Sequence, residues 1–395
     1  MSTDRTIRIF YVYRFLSSFF LIGPIITLFF LEFIPFSQLG IVFAVGIATA
    51  FAFEIPSGVW ADRFGRTYVV ALGSFLAGIE LVLIAYGQSF GYFLAAAIVG
   101  GIGSALVSGA DTAIVYDSLL SSKRQGESGK VYGRARAIRY FAIVIAALIG
   151  APLYTYAQTM PLYVNGGVMF AAGLLVLTIR EPPRSVRSYG WYVQVEGIRE
   201  GFTQVLRSTT LRWFIAFSVF SGIAVWLYHD LLKLPHLELI GYPIASLGII
   251  VAVISTIRSV VSWNADRIAR SFGEGRTYVM LLLAPGMLLI AIGLIPSMVA
   301  LLLIIVLYCI WSVQEVFCEA KIHELISSDK RATIYSIHSF LNSVMLFIGA
   351  LILSVIAELA SLFTALIVAG CASMLFAALL LRSRPKQTKH TKRVA

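Results

Sequence analysis

Twelve stretches of about twenty residues that carry almost no charge constrain this chain more than any other feature. They run over 10–33, 39–60, 68–87, 90–113, 137–157, 161–179, 213–231, 243–263, 277–295, 298–318, 333–356 and 360–381. A helix rises about 1.5 Å per residue, so about twenty apolar residues cross the roughly 30 Å hydrocarbon core of a bilayer. Of 395 residues, 59% are apolar and 13% charged, against roughly 45–50% and 25% in a soluble domain. Surface-to-volume scaling offers no water-soluble shape that hides so much apolar surface. The strands of an outer-membrane barrel would alternate over about ten residues, and that pattern is absent from the sequence. The expected fold is an all-α polytopic membrane protein of twelve transmembrane helices. The first stretch lacks the short apolar core and small-residue cleavage site of a signal peptide, so it reads as a retained helix. Cys309, Cys318 and Cys371 all fall in apolar runs and imply no disulfide framework.

The chain carries a net charge of +11, and the position of its basic residues decides what that means. With twelve spans both termini share a side, and segments on that side hold 27 of the 31 Lys and Arg. Arg14, Arg139 and Arg258 fall inside spans, and Lys233 alone is expected in a segment on the other side. Basic flanks resist translocation, so both termini are expected in the cytoplasm, in a multi-pass protein of the inner or plasma membrane. The basic tail at 382–394 follows the same rule, and nucleic acid is not an expected partner. The stretch 180–212 splits the spans six and six. It opens with Glu181-Pro182-Pro183 and spaces Trp191, Val195, Ile198, Phe202 and Val205 as on a helix. It reads as a linker with a surface-lying amphipathic helix. The expected units are an N-terminal six-helix bundle at 1–179, the linker, and a C-terminal six-helix bundle with the tail at 213–395.

The halves echo each other. After the second span the chain reads Gly58-Val-Trp-Ala61-Asp62-Arg63-Phe-Gly65-Arg66-Thr67-Tyr68. After the eighth it reads Ala265-Asp266-Arg267 and then, past an insertion, Gly275-Arg276-Thr277-Tyr278. A second echo follows the fourth span of each half, Asp117-Ser-Leu-Leu-Ser-Ser-Lys-Arg124 against Glu324-Leu-Ile-Ser-Ser-Asp-Lys-Arg331. Two echoes in register mark pseudo-symmetric six-helix bundles, parallel repeats about an axis along the membrane normal.

The loop Gly58-x-x-Ala-Asp62-Arg63-x-Gly65-Arg66 resembles the signature of the major facilitator superfamily, and the twelve-span layout resembles it throughout. The stretches Tyr13-Arg14-Phe15-Leu16, Glu54-Ile-Pro56-Ser-Gly58 and Ser108-Gly-Ala-Asp111…Tyr116-Asp117 resemble its drug and metabolite exporter branch. The family's fourth-helix Arg-x-x-Gln-Gly falls on Ala97 to Gly101, with Ala97 and Gly100 in place of Arg and Gln, and its fifth-helix signature is reduced to Gly150-Ala-Pro152. The resemblance implies alternating access around the first, fourth, seventh and tenth helices.

Read from the residues themselves, Gly58 and Gly65 allow a tight turn and close helix approach. Asp62, Arg63 and Arg66 can make charge-assisted bonds across a helix interface, with Asp117 a partner for Arg66. The loop is expected to act as a conformational latch, with Asp266 and Arg267 as the weaker second copy.

Ionisable groups inside spans are costly unless they meet a cavity or a partner. Arg14, Glu54 and Arg139 lie roughly 6–14 Å inside the cytoplasmic boundary, and Asp111 lies at that boundary. Arg14 can pair with Glu54 or Asp111. Glu80 sits near mid-depth on the third span, where a structural hydrogen bond to a neighbouring span is the favoured reading. On the tenth span Trp311, Glu315, Glu319 and His323 recur every four residues and share one face. Glu319 and His323 read as a wetted helix end. Glu315, on a helix the resemblance places at the cavity, is the expected proton carrier or cation site.

No phosphate-cradling Gly-x-x-x-x-Gly-Lys-Ser/Thr loop occurs, nor a Gly-x-Ser-x-Gly elbow, and the five histidines show no metal spacing. Neither an enzyme nor a cofactor or metal site is expected. The expected function is secondary transport of a small amphiphilic molecule, cationic or neutral, by a monomer, as proton-coupled efflux. The alternative is a facilitator or importer of a hydrophilic solute.

Overall fold

The computed structural model describes residues 3–179, 181, 203, 205–325 and 331–385, apart from the side chains of 323–325, 331–333, 335 and 336. All twelve expected crossings are helical. The second to fifth run over Phe36–Phe64, Arg66–Gly87, Phe90–Val107 with Ala110–Ser121, and Ser128–Tyr156. The sixth is the shorter Met160–Val176. The seventh begins as Thr209–Leu227, passes through one turn of π-helix at Tyr228–Leu232, and continues as Lys233–Leu239. The eighth to twelfth are Ile244–Phe272, Glu274–Leu294, Ala300–Leu325, Arg331–Leu359 and Leu362–Arg382. The linker expected at 180–212 lies mostly outside the described residues.

The first crossing departs from the continuous helix expected over 10–33. It divides into Thr3–Ser18 and Ile26–Leu31. Pro24 has no N–H to donate and its ring crowds the preceding turn, so backbone groups are freed inside the bundle. Asn165 of the sixth span takes them up: its Nδ2 donates to Phe19 O at 2.8 Å, and its Oδ1 accepts from Leu21 N–H. Gly150 of the fifth span lets the broken segment approach, because a Cβ there would overlap Leu21 O.

Packing repeats between the halves. The third and sixth spans meet with Gly78 against Gly166, and the ninth and twelfth with Gly286 against Gly370. A Cβ on Gly78 would come 3.1 Å from Gly166 O, and one on Gly286 2.9 Å from Gly370 O. Between halves the second span packs on the eleventh and the fifth on the eighth. We call the side where the first span begins at Thr3 and the last ends at Arg382 the basic face. Near the opposite face, a Cβ on Gly40 would overlap Ser354 Oγ and lie 2.8 Å from Ala350 O. Gly248 meets Ala147 O in the same way. Ser37 N–H donates to Glu358 Oε2 at 2.7 Å, and Thr27 Oγ1 donates to Asp230 O at 3.2 Å. Small residues thus bring four helices of the two halves into backbone contact there.

Candidate functional site: two ion pairs in the bundle

In the first half the fourth span bends at Ser108 and Gly109, where a φ of +74° suits glycine. The bend places Asp111 in the first turn of the next helical segment, where a carboxylate meets the positive end of the helix dipole. Asp111, 5% exposed, accepts Thr112 N–H at 2.6 Å and pairs with Arg14 Nη2 at 3.0 Å. Arg14 also lies over the Phe10 ring, 5.2 Å from its centroid. Arg14, Ser104, Ser108, Asp111 and Thr112 border an open cleft of about 400 Å³. Of the two acids the sequence offers Arg14, the structure selects Asp111. Glu54 is exposed and its carboxylate has no hydrogen-bond or ion-pair partner among the described residues. Arg139 also has none, yet it lies near enough to both Asp111 and Glu315 to act on their charges.

The second half carries its own pair. Arg258 of the eighth span bonds Glu315 Oε2 through Nη2 at 2.9 Å and Ser312 Oγ through Nε at 3.3 Å. Its guanidinium lies over the Trp311 ring at 4.1 Å, within cation–π range. Glu315 keeps 40% of its side chain exposed and faces the other half, since Arg136 and Arg139 of the fifth span act on its charge. Trp311 is 3% exposed, and its Nε1 has no hydrogen-bond partner among the described residues.

The π-helical turn of the seventh span adjoins this pair. One extra residue per turn re-aims side chains, and such bulges recur at functional sites. His229 Nδ1 lies 2.7 Å from Tyr308 Oη and 3.3 Å from Lys233 Nζ, and its ring packs against Trp311. Lys233 was expected in a segment on the far side; it is instead helical and 6% exposed. The correction has a physical reason: His229 and Lys233 are one helical turn apart, so the lysine finds its partner inside the bundle. Basic-face to the same network, Gln314 Nε2 donates to Ser218 O at 3.1 Å and Ser221 Oγ at 3.0 Å, and Ser218 Oγ lies 2.9 Å from His338 Nε2.

Glu80 does not make the hydrogen bond favoured from sequence among the described residues. Its carboxyl rests on Gly100 of the fourth span, where any Cβ would overlap it. Gly100 stands where the family motif has glutamine, so the departure in one helix makes room for an acid on the next. Glu319 is exposed near the basic face, as a wetted helix end should be, and the side chain of His323 lies outside the described residues.

Gly58, Asp62 and Arg63 lie toward the end of the second span, and Gly65 turns the chain with a φ of +114°. Arg66 pairs with Asp117, tying the start of the third span to the end of the fourth. Thr67 N–H donates to Glu181. This pair therefore joins helices of one half. In the second copy the insertion lengthens the eighth helix rather than the loop: the turn falls on Gly273 and the next helix begins at Glu274. Asp266 pairs with Arg270 one turn on, and Arg267 stays in the same helix. Glu274 bonds Lys321 at 3.1 Å, so the ninth and tenth spans repeat the tie with its charges reversed.

Sequence reasoning singled out Glu315 and Trp311 but not Arg258, His229, Lys233 or Tyr308 as their neighbours. A charged residue in an apolar run flagged Arg258, and the i, i+4 spacing could have flagged His229 with Lys233. Nothing in the sequence announces that the eighth, seventh and tenth helices bring them together.

Two repeated six-helix bundles with embedded ion pairs define a polytopic transporter-type fold. The sequence profile described as Major Facilitator Superfamily matches residues 15–319, and the chain belongs to that superfamily. Among characterised proteins it is 25% identical over 256 residues to Multidrug resistance protein 1 of Bacillus subtilis (strain 168). That match takes in 63% of this chain and 62% of the relative's own length. The fold is similar to the crystal structure of the nucleoside transporter NupG, with a TM-score of 0.78 and 13% identity over 98% of this chain and 100% of that one. The xylose transporter XylE from E. coli superimposes with a TM-score of 0.73 and 14% identity, covering 98% of both chains.

Proposed function

We propose that this chain is a secondary transporter that moves a small polar solute across the membrane by alternating access, coupled to protons through Glu315. The Arg258–Glu315 pair carries this reading. A carboxylate paired with arginine at mid-bundle, yet 40% exposed, can lose its pair on taking a proton, and that changes which helix contacts are favourable. Close approach of the halves near the opposite face, at Gly40 and Gly248, fits a protein closed on that side. On this reading both termini are cytoplasmic and the monomer is the working unit. The Gly58–Arg66 loop, with Asp117, keeps the second to fourth spans moving as one body.

A polar solute is favoured over a cationic amphiphile by the balance of embedded charge. Arg14, Arg139, Arg258 and Lys233 stand against Glu54, Glu80, Asp111, Asp230 and Glu315, so embedded bases nearly match embedded acids and an anionic group would find partners. The exporter reading, for amphiphilic compounds, is supported by the similarity to Multidrug resistance protein 1.

The test is reconstitution into liposomes holding a pH-sensitive dye, with solutes added outside under an imposed pH step. Solute-dependent proton flux is expected, and Glu315→Gln should remove it while solute exchange between the two sides persists. Proton coupling with unchanged pH dependence in that variant would take Glu315 out of the mechanism.

A further inference from the structure

We propose that Arg258 is the solute's anchor and that the solute carries a carboxylate, admitted when Glu315 takes up the proton. This rests on the proton-coupled reading above and adds to it the chemical class of the cargo. The guanidinium is held on two sides that do not depend on Glu315: its face lies on Trp311 at 4.1 Å, and its Nε bonds Ser312 Oγ at 3.3 Å. Ser312 is itself fixed, donating to Tyr308 O at 2.9 Å. Only the Nη2 bond to Glu315, at 2.9 Å, uses the edge that binds a carboxylate fork. Neutralising Glu315 therefore leaves an oriented, unpaired guanidinium edge rather than a collapsed side chain.

Charge bookkeeping favours the exchange. With Glu315 ionised the pair is neutral; with Glu315 protonated and a solute carboxylate on Arg258, it is neutral again. One proton and one carboxylate enter together, and no uncompensated charge is left at membrane depth. A neutral solute would leave Arg258 unpaired whenever Glu315 is protonated, and a cation would add to that excess. Two further observations agree. Trp311 Nε1 is a buried donor with no acceptor among the described residues, on the residue that carries the guanidinium. Arg139, which has no hydrogen-bond or ion-pair partner among the described residues, adds positive charge across the gap.

The groups facing Glu315 set its response to pH. They include Arg258 from the eighth span, Arg136 and Arg139 from the fifth, and Cys318 and Glu319 on its own helix. His229, Asp230 and Lys233 of the seventh span share the site through Arg258. The ninth span's titratable residues, Glu274, Arg276 and Tyr278, all lie toward its basic-face end, and the Tyr278 ring packs on Phe217 and Phe317.

Thermal-shift titration of the purified full chain tests the assignment, with benzoate and lactate as carboxylate probes. Uridine and xylose serve as neutral probes and tetraphenylphosphonium as the cation. Benzoate or lactate should stabilise the protein more strongly at acid than at alkaline pH, losing affinity by up to about tenfold per pH unit as Glu315 ionises. Glu315→Gln should bind the same carboxylate with no such pH dependence. Arg258→Gln with Glu315→Gln removes both charges, which preserves folding, and should lose the carboxylate response. Carboxylate stabilisation that survives in this double variant would overturn the proposal. So would stabilisation of the wild type by the neutral or cationic probes alone, even where solute-driven proton flux in liposomes upholds the transport reading.

Discussion

At the scale of single residues, the embedded charges divide into those with partners and those left open. Asp111 is 5% exposed and held by Arg14 and Thr112 N–H. Removing one member of such a pair strands the other at membrane depth, so Arg14→Leu should destabilise the protein by about 3–5 kcal/mol. Combining it with Asp111→Leu should recover most of that loss, measured by denaturation in detergent; equal melting of single and double variants would show the pair to be unimportant. The identity of these charged residues was legible in the sequence, because lipid makes any charge inside an apolar run conspicuous. Their partners were not. Arg14 had two acids within reach, and the choice of Asp111 depends on a bend at Gly109 that turns the fourth span toward the first. Lys233 shows the opposite error: a lysine near a span's end looks like a loop residue until the helix is seen to continue past His229.

At the scale of elements, two breaks matter most. The interruption at residues 19–25 exposes backbone groups that a helix would have satisfied, and Asn165 answers them through a donor and an acceptor at once. Asn165→Leu would leave Leu21 N–H and Phe19 O unpaired, at a cost of about 1–3 kcal/mol. The expected result is a lower melting temperature in detergent. Gly23-Pro24 in the sequence marks a weak point in the first span, but the need for a long-range amide to mend it could be seen only after the first and sixth spans met. The second break, the π-helical turn at Tyr228–Leu232, carries no proline or glycine. It is stabilised by tertiary contacts, His229 with Tyr308 and Thr27 with the Asp230 carbonyl, and its local signal is Pro235, which cannot donate to Leu231 O one turn back. The repeated loop taught a similar lesson. Its insertion, read as a disruption of the motif, is absorbed as extra helix before Gly273, and the ninth span's tie to the tenth survives through Glu274 and Lys321.

At the scale of the whole molecule, the halves come into backbone contact at Gly40 and Gly248, near the face opposite the basic one, and transport by alternating access requires that contact to open. Ser37→Cys with Glu358→Cys, in a chain whose native cysteines are replaced, places two thiols where the second and eleventh spans are hydrogen-bonded. Oxidation should stop solute flux in liposomes and reduction should restore it; flux that continues through the cross-linked protein would rule out opening at this contact. The sequence by itself determined that the chain is a twelve-helix membrane protein built from two copies of one unit. Hydrocarbon permits only backbone that satisfies its own hydrogen bonds, and basic residues gather on one side, so apolar length and charge placement are enough. What only the tertiary structure decided is which embedded charges meet. Arg258 and Glu315 are 57 residues apart, on helices that neither composition nor period ranks as neighbours. A pair interaction falls off over a few ångströms, and helix rotation and tilt, set by packing of small residues between spans, fix those ångströms.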